Sequence, residues 1–446
     1  MNTANSRNNT LLSITIIGIL FFIFGFVTWL NSTLIPFLKI SCELNNAQAY
    51  LVTFAFYISY FVMALPSSWV LHKTGFKGGM ALGLIVMAVG TLVFIPAANT
   101  RTFGLFLTGL FIQGTGLSIL QTASNPYITI LGPIESAAKR ISIMGICNKI
   151  AGVLSPLILG AIVLKNADAL KEKLLITVNK VDKEILLNDM AARVIIPYVI
   201  MAITLVILAI LIKLSSLPDI DTDKEEGYIN ESNGIKKNIF QFPHLILGFV
   251  AIFFYVGAEV IAGDTIILYG QSQGITLSEA RVYTSCTLIA MLLGYILCII
   301  TIPKLISQKN ALVISSIFGI ILTLMAVFIS KKLITYIPFI NLETFKFVSL
   351  PIPYTVLFIA ILGFANAVMW PAIWPLAIKG LGKYTKTGSA ILIMGIAGGA
   401  TLPLLYGRLV DISSIGSQQA YLILLPCYLF ILYYALRGHK IGMNKI

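Results

Sequence analysis

Residues 125–160 read NPYITILGPIESAAKRISIMGICNKIAGVLSPLILG, and residues 374–407 read WPLAIKGLGKYTKTGSAILIMGIAGGATLPLLYG. Pro126 answers Pro375, the MGI at 144–146 answers that at 394–396, and Pro156 and Gly160 answer Pro403 and Gly407. The offset stays at about 250 residues. A second pair keeps the same order: FFIFGFVTWLNST at 21–33 and FFYVGAEVIAGDT at 253–265. Apolar segments that recur in the same order in the two halves point to an internal duplication. The first stretch also raises a question. It is almost wholly apolar, yet it carries Lys149 near its middle.

Composition says what solvent these segments meet. Of the 446 residues, 58% are hydrophobic and only 11% charged, and mean hydropathy is +0.92. A soluble domain is nearer about 25% charged. Apolar stretches of about 20 residues, long enough to cross a bilayer, recur from end to end. Lipid offers no partner to unpaired backbone groups, so the spans must be helical. The reading is an all-α polytopic membrane protein with spans near 11–37, 47–71, 78–97, 103–131, 138–164, 194–214, 244–270, 279–303, 310–330, 353–378, 386–409 and 418–436. The first is too long for a cleaved signal peptide. That makes about twelve spans, in two six-helix bundles at 1–214 and 244–446, joined by the polar stretch 215–243.

An even number of spans puts both termini on one side. Loops with His72, Lys73 and Lys77, with Lys139 and Arg140, with Lys304 and Lys309, and with Lys379, Lys383 and Lys386 fall on that side. Positive charge marks the cytoplasmic face, so both termini are read as cytoplasmic. Two opposite loops dissent. Residues 165–193 hold several lysines and are expected to form amphipathic helices; 331–346 has three. The net charge of +13 lies in short loops, so nucleic acid is not an expected partner. Five scattered cysteines without a C-x-x-C pair support neither a metal site nor a disulfide framework.

Several stretches carry a family resemblance: FAFYISYFVMALPSSWVLHKTGFKGGMALGL (54–84), QTASNPYITILGP (121–133), YVGAEV (255–260) and KGLGKYTKTGSAILIMGIAGGATLPLLYG (379–407). Over nearly the whole chain the sequence resembles the major facilitator superfamily, and within it the L-fucose permease and glucose/galactose transporter family. The resemblance implies a monosaccharide transporter, for glucose, galactose or fucose, driven by a cation gradient through alternating access. It also implies a monomer in a bacterial inner membrane, with Na+ or H+ as cargo and no cofactor. The fucose permease resembles this chain less at two positions: where its proton-linked acids fall, this chain has Ser32 and Gln121. The ion is therefore left open by the resemblance, with sodium expected ahead of protons.

The residues themselves nominate sites. Ser118, Gln121, Thr122 and Asn125 share one helix face, and amide side chains suit adjacent sugar hydroxyls; the alternative is hydrogen bonding to neighbouring helices. Asn31 and Ser32 lie at the family's substrate and proton positions, and Asn148 is a sugar contact by resemblance. Asn366, Trp370 and Trp374 recur at helical spacing, and an aromatic face packs against a sugar ring. Tyr57 and Tyr60 read as packing. Glu259 and Asp264 are acids within the seventh span, where ionisable groups face a cavity or a partner. A break at Gly257 or Gly263 would bring both to one place; otherwise Asp264 is solvated near the span's end. Lys149 stands on a stripe with Gly145, Gly152 and Pro156 and is expected to face the other half. It is read as a switch or a static pair with Glu259 or Asp264, or as facing water. HKTGFKGG (72–79) resembles the superfamily's gating loop without its aspartate, so Lys73, Lys77 and Arg140 are gate candidates.

Other functions are weaker readings. No Walker A loop supports ATP drive. A membrane enzyme would want a catalytic cluster, but His72, His244 and His439 all lie at span ends. A sensor, a drug efflux pump and a uniporter without ion coupling remain alternatives.

Overall fold

The computed structural model describes residues 2–130, 137–215, 217, 239–302, 305–341, 346–381 and 384–443. Among them eleven helical runs are long and apolar enough to cross a bilayer. One, Asn46–Thr100, has 55 residues. As a straight helix it would measure about 80 Å, against a hydrocarbon core of about 30 Å. It is instead two crossings: the chain turns at Gly75, whose φ of +69° is open to glycine at little cost. Among the described residues the crossings therefore number twelve, six before the polar stretch and six after it. Most of that stretch, 218–238, lies outside the described residues.

The spans are Ser13–Ser41, the two within Asn46–Thr100, Phe103–Asn125, Ile143–Val163 and Ile195–Leu214, then Pro243–Asp264, Leu277–Thr301, Gln308–Phe328, Tyr354–Ile378, Thr387–Asp411 and Gly416–Leu436. In the first half the first span packs along the fifth; in the second half the seventh packs along the eleventh. Both contacts depend on a missing side chain. A Cβ at Gly25 would fall 1.9 Å from the carbonyl oxygen of Asn148, and one at Gly398 would fall 1.8 Å from that of Phe253. Related pairs of spans, in related halves, are thus drawn together by a glycine against a backbone carbonyl. Without a hydrophobic driving force between helices in lipid, such close approach is what packs them.

The halves meet along two seams, fifth span against eighth and second against eleventh. The small-residue stripe expected on the fifth span does face the other half: Gly145 lies against Tyr295, Gly152 against Leu288, and Gly160 against Arg281. At the second seam the Tyr50 ring occupies the space a Cβ on Gly407 would need.

Two elements lie outside the spans, at the end of the molecule opposite the termini. Residues 165–193 fold as two helices, Ala167–Ile176 and Lys180–Ala192, each burying only a few residues such as Leu170 and Met190. The lysine-bearing 331–346, read as a loop, instead opens an antiparallel hairpin of strands Ile334–Asn341 and Lys346–Pro353. Its β-branched and aromatic residues (ITYIPFIN) favour strands.

Valine at Gly25 must push the first span off the fifth. Gly25→Val is expected to lower the apparent Tm in detergent, a cost of about 1–3 kcal/mol. Gly104→Ala, where a Cβ meets nothing within 4 Å, should leave Tm unchanged.

Candidate functional site

The seventh span runs unbroken from Pro243 to Asp264. The break expected at Gly257 or Gly263 does not occur, because both glycines serve packing. A Cβ at Gly257 would overlap Leu402, and one at Gly263 would overlap the Trp29 ring at 2.3 Å. Glu259 and Asp264, five residues apart on a continuous helix, are therefore about 140° apart around its axis. They do not share one site on one face.

Glu259 is the partner of Lys149. The Lys149 Nζ donates to Glu259 Oε1 at 2.7 Å, and the two side chains are 9% and 12% exposed. The ammonium also lies 5.0 Å from the centre of the Trp29 ring. Trp29 is wedged between the fifth and seventh spans, its indole filling the space left by Gly152 on one and Gly263 on the other. Three spans thus build one charge site: the first supplies an aromatic face, the fifth the cation, the seventh the anion. Each charge alone is costly at this depth, and removing one partner of such a pair costs about 3–5 kcal/mol.

Asp264 ends the helix fully buried rather than solvated, and neither carboxylate oxygen has a hydrogen-bond partner. Glu259, not Asp264, takes the lysine.

The fourth-span face is partly committed. Thr122 donates to the Ser118 carbonyl at 2.8 Å, a local bond. Gln121 and Asn125 stay half-exposed, and the Gln121 amide donates to the Tyr60 hydroxyl at 3.1 Å. Tyr60 stacks on Tyr57, 6.4 Å between ring centres, so these tyrosines connect the polar face to the seam between the halves. On the tenth span Trp370 and Trp374 stack at 5.2 Å, both half-exposed. Tyr255, one turn before Glu259, lies 6.3 Å from Trp370. The second half therefore presents an aromatic surface running from the acid to the tryptophan pair.

Three expected sugar contacts lie elsewhere. Asn366 is buried, and its side-chain oxygen accepts from the Tyr428 hydroxyl at 2.9 Å. Trp370 and Trp374, by contrast, are half-exposed on the same span. Asn148 donates to the Phe21 carbonyl at 3.3 Å, across the glycine contact at Gly25. Asn31 is 1% exposed, shut inside the first span's packing, with its amide nitrogen unpartnered. Beside it the Ser32 hydroxyl donates to its own helix at the Trp29 carbonyl. A cavity of about 370 Å³ lies away from these groups, near the end opposite the termini, lined by Lys39, Asn46, Tyr50 and Tyr406 among others. The charge pair and the half-exposed polar and aromatic groups define the better candidate site, because they bring donors, acceptors and flat rings together.

The profile of the Major Facilitator Superfamily matches residues 17–404. The chain belongs to the major facilitator superfamily. Within it, the sequence is 33% identical over 443 residues to the glucose/galactose transporter of Brucella abortus, covering 98% of this chain and 96% of that one. It is 30% identical over 434 residues to the putative glucose/galactose transporter of Helicobacter pylori, covering 96% of each. A crystal structure of the Escherichia coli fucose:proton symporter shares the fold, with a TM-score of 0.69 at 24% identity over 96% of this chain and 98% of that one. The resemblance to the fucose permease and glucose/galactose transporter family is thereby established.

The gate candidates of this superfamily member are placed as follows. Lys73 is exposed, its ammonium 3.9 Å from the centre of the Trp69 ring. Lys77 donates to the Ser215 carbonyl at 2.6 Å, tying the loop to the end of the sixth span. Arg140 is buried and donates to the Ile128 carbonyl at 2.9 Å, bracing the fourth span.

Sequence reasoning missed Asp168 and Asp411. Both join the halves at the end opposite the termini, and their partners lie 109 to 110 and 364 to 365 residues away in sequence. No local spacing announces such a contact.

The Lys149–Glu259 pair sets a clear expectation. In a cycle of Lys149→Met, Glu259→Gln and the double variant, each single change should destabilise by about 3–5 kcal/mol. The double should cost less than their sum, read from unfolding in detergent. Additive losses would mean the two groups do not interact in the membrane.

Proposed function

We propose that the protein is a secondary active transporter that moves a monosaccharide together with a cation by alternating access. Glucose and galactose are the first substrates to expect, and fucose the next, after the names of its relatives. The observation that carries the coupling is the Lys149–Glu259 pair across the seam between the halves. A cation arriving at the Glu259 carboxylate competes with the lysine; Na+ does so as a hard ion among oxygens, and H+ by removing the negative charge. Either releases a bond that joins the halves, so ion binding biases which arrangement is favoured. Na+ or H+ is cargo in this scheme.

Gln121 and Asn125 would take the sugar hydroxyls, and the Trp370–Trp374 stack its apolar face. The basic short loops support placing both termini in the cytoplasm. The bacterial relatives support a bacterial inner membrane. A monomer suffices, since both halves of the site belong to one chain.

Purified protein in liposomes tests this reading. Labelled glucose or galactose should accumulate under an imposed Na+ or H+ gradient and not without one. Equal uptake under all conditions would make the protein a uniporter and remove the ion site. Gln121→Ala should weaken sugar binding about tenfold, the loss of a hydrogen bond worth about 1–2 kcal/mol. An unchanged affinity would return Gln121 to packing.

A further inference from the structure

Two four-residue helices stand at the end of the molecule opposite the termini, one opening the second span and one opening the eighth. Asn46–Ala49 is capped by Asn45, and Leu277–Ala280 by Thr276. Each has a complete capping box: the cap side chain accepts from the third helical N–H, and the third side chain, Gln48 or Glu279, returns to the cap's own N–H. That chemistry leaves the donors of the first two helical positions unused.

A carboxylate from the other half takes both of these donors in Leu277–Ala280 and the second of them in Asn46–Ala49. Asp168, just past the fifth span, accepts from the backbone N–H of Leu277 at 2.8 Å and of Ser278 at 2.9 Å, and from the Ser278 hydroxyl at 2.8 Å. Asp411, at the end of the eleventh span, accepts from the backbone N–H of Ala47 at 2.8 Å and from the Asn46 amide at 2.7 Å. The fifth and eleventh spans correspond across the internal duplication, as do the second and eighth. Each half therefore reaches out with an aspartate and offers a helix start in return. Nearby, Arg281 donates to the Gly160 carbonyl at 3.2 Å, and Tyr50 and Tyr406 meet edge to face at 5.7 Å.

We propose that Asp168 and Asp411 form a twofold latch that closes this end of the transporter. It works as a gate because both of its states are satisfied. Closed, the carboxylates meet the helix starts with charge-assisted bonds and favourable alignment to the helix dipoles. Open, the same donors and carboxylates sit at the membrane surface, where water replaces each bond. The net stabilisation of the closed state is then a small difference, as a reversible gate needs. Burial alone would raise the Asp168 carboxyl, but the three bonds from Leu277 and Ser278 together with the nearby Lys171 charge outweigh it and hold it below the usual carboxylate range. Asp168 is thus ionised at neutral pH.

This inference rests on the alternating-access reading, and its test separates the two. Spin labels at Val178 and Lys332, on exposed loops of the two halves at this end, report its opening in nanodiscs on a background freed of the five native cysteines. Asp168→Ala with Asp411→Ala should raise the ratio of long to short distances at least about fivefold, each single change giving part of that shift. Retained sugar binding shows that the variant is folded. Distances unchanged in the double variant overturn the latch, even where the wild type transports sugar. A shift in the double variant with no gradient-driven uptake by the wild type upholds the latch and removes the symport.

Discussion

A lysine and a glutamate meet at 2.7 Å between the two halves, where neither charge is tolerable alone. Much of the central structure follows from accommodating that pair. The fifth span needs small residues to bring Lys149 up to the other half, hence glycines at 145 and 152 against Tyr295 and Leu288. The first span places the Trp29 ring beside the ammonium, and Gly152 and Gly263 give it room. The seventh span stays helical through Gly257 and Gly263, which points Glu259 at the lysine and turns Asp264 away. Pairing the two charges offsets the cost of burying either one alone.

The same pair links architecture to a cycle. A bond inside one half would only add stiffness. In the proposed cycle a bond across the seam is made or broken as the halves rock, so anything that competes for Glu259 would act on the balance between states. The aspartates at the far end of the seam have the complementary property: they close it with groups that water satisfies equally well. Buried charge at the centre and solvated charge at the rim give the two ends of the seam different sensitivities to ions.

The fold was legible in the sequence because the bilayer imposes long apolar runs and the duplication repeats them. Lys149 was legible for the same reason, an ionisable residue in an apolar helix being a rarity that requires a partner. The choice of Glu259 over Asp264 depended on whether the seventh helix breaks, and glycine in a sequence reads equally as hinge or as packing space. Here it is packing space. Asn366 is buried against the Tyr428 hydroxyl, a partner 62 residues away that helical spacing cannot register. The hairpin of Ile334–Asn341 and Lys346–Pro353 went unread because it falls in what the spans leave as a loop, and the aspartate contacts because of the distance in sequence between each acid and the helix it caps.

The central claim is that sugar movement carries charge. The direct measurement is the electrical response of proteoliposomes on a solid-supported membrane to a jump in glucose or galactose concentration, taken in Na+ at constant pH and in a sodium-free buffer at varied pH. The account predicts a transient positive current into the liposomes in at least one of these media, abolished by Glu259→Gln. Sugar flux in the same liposomes without any current in either medium would contradict it.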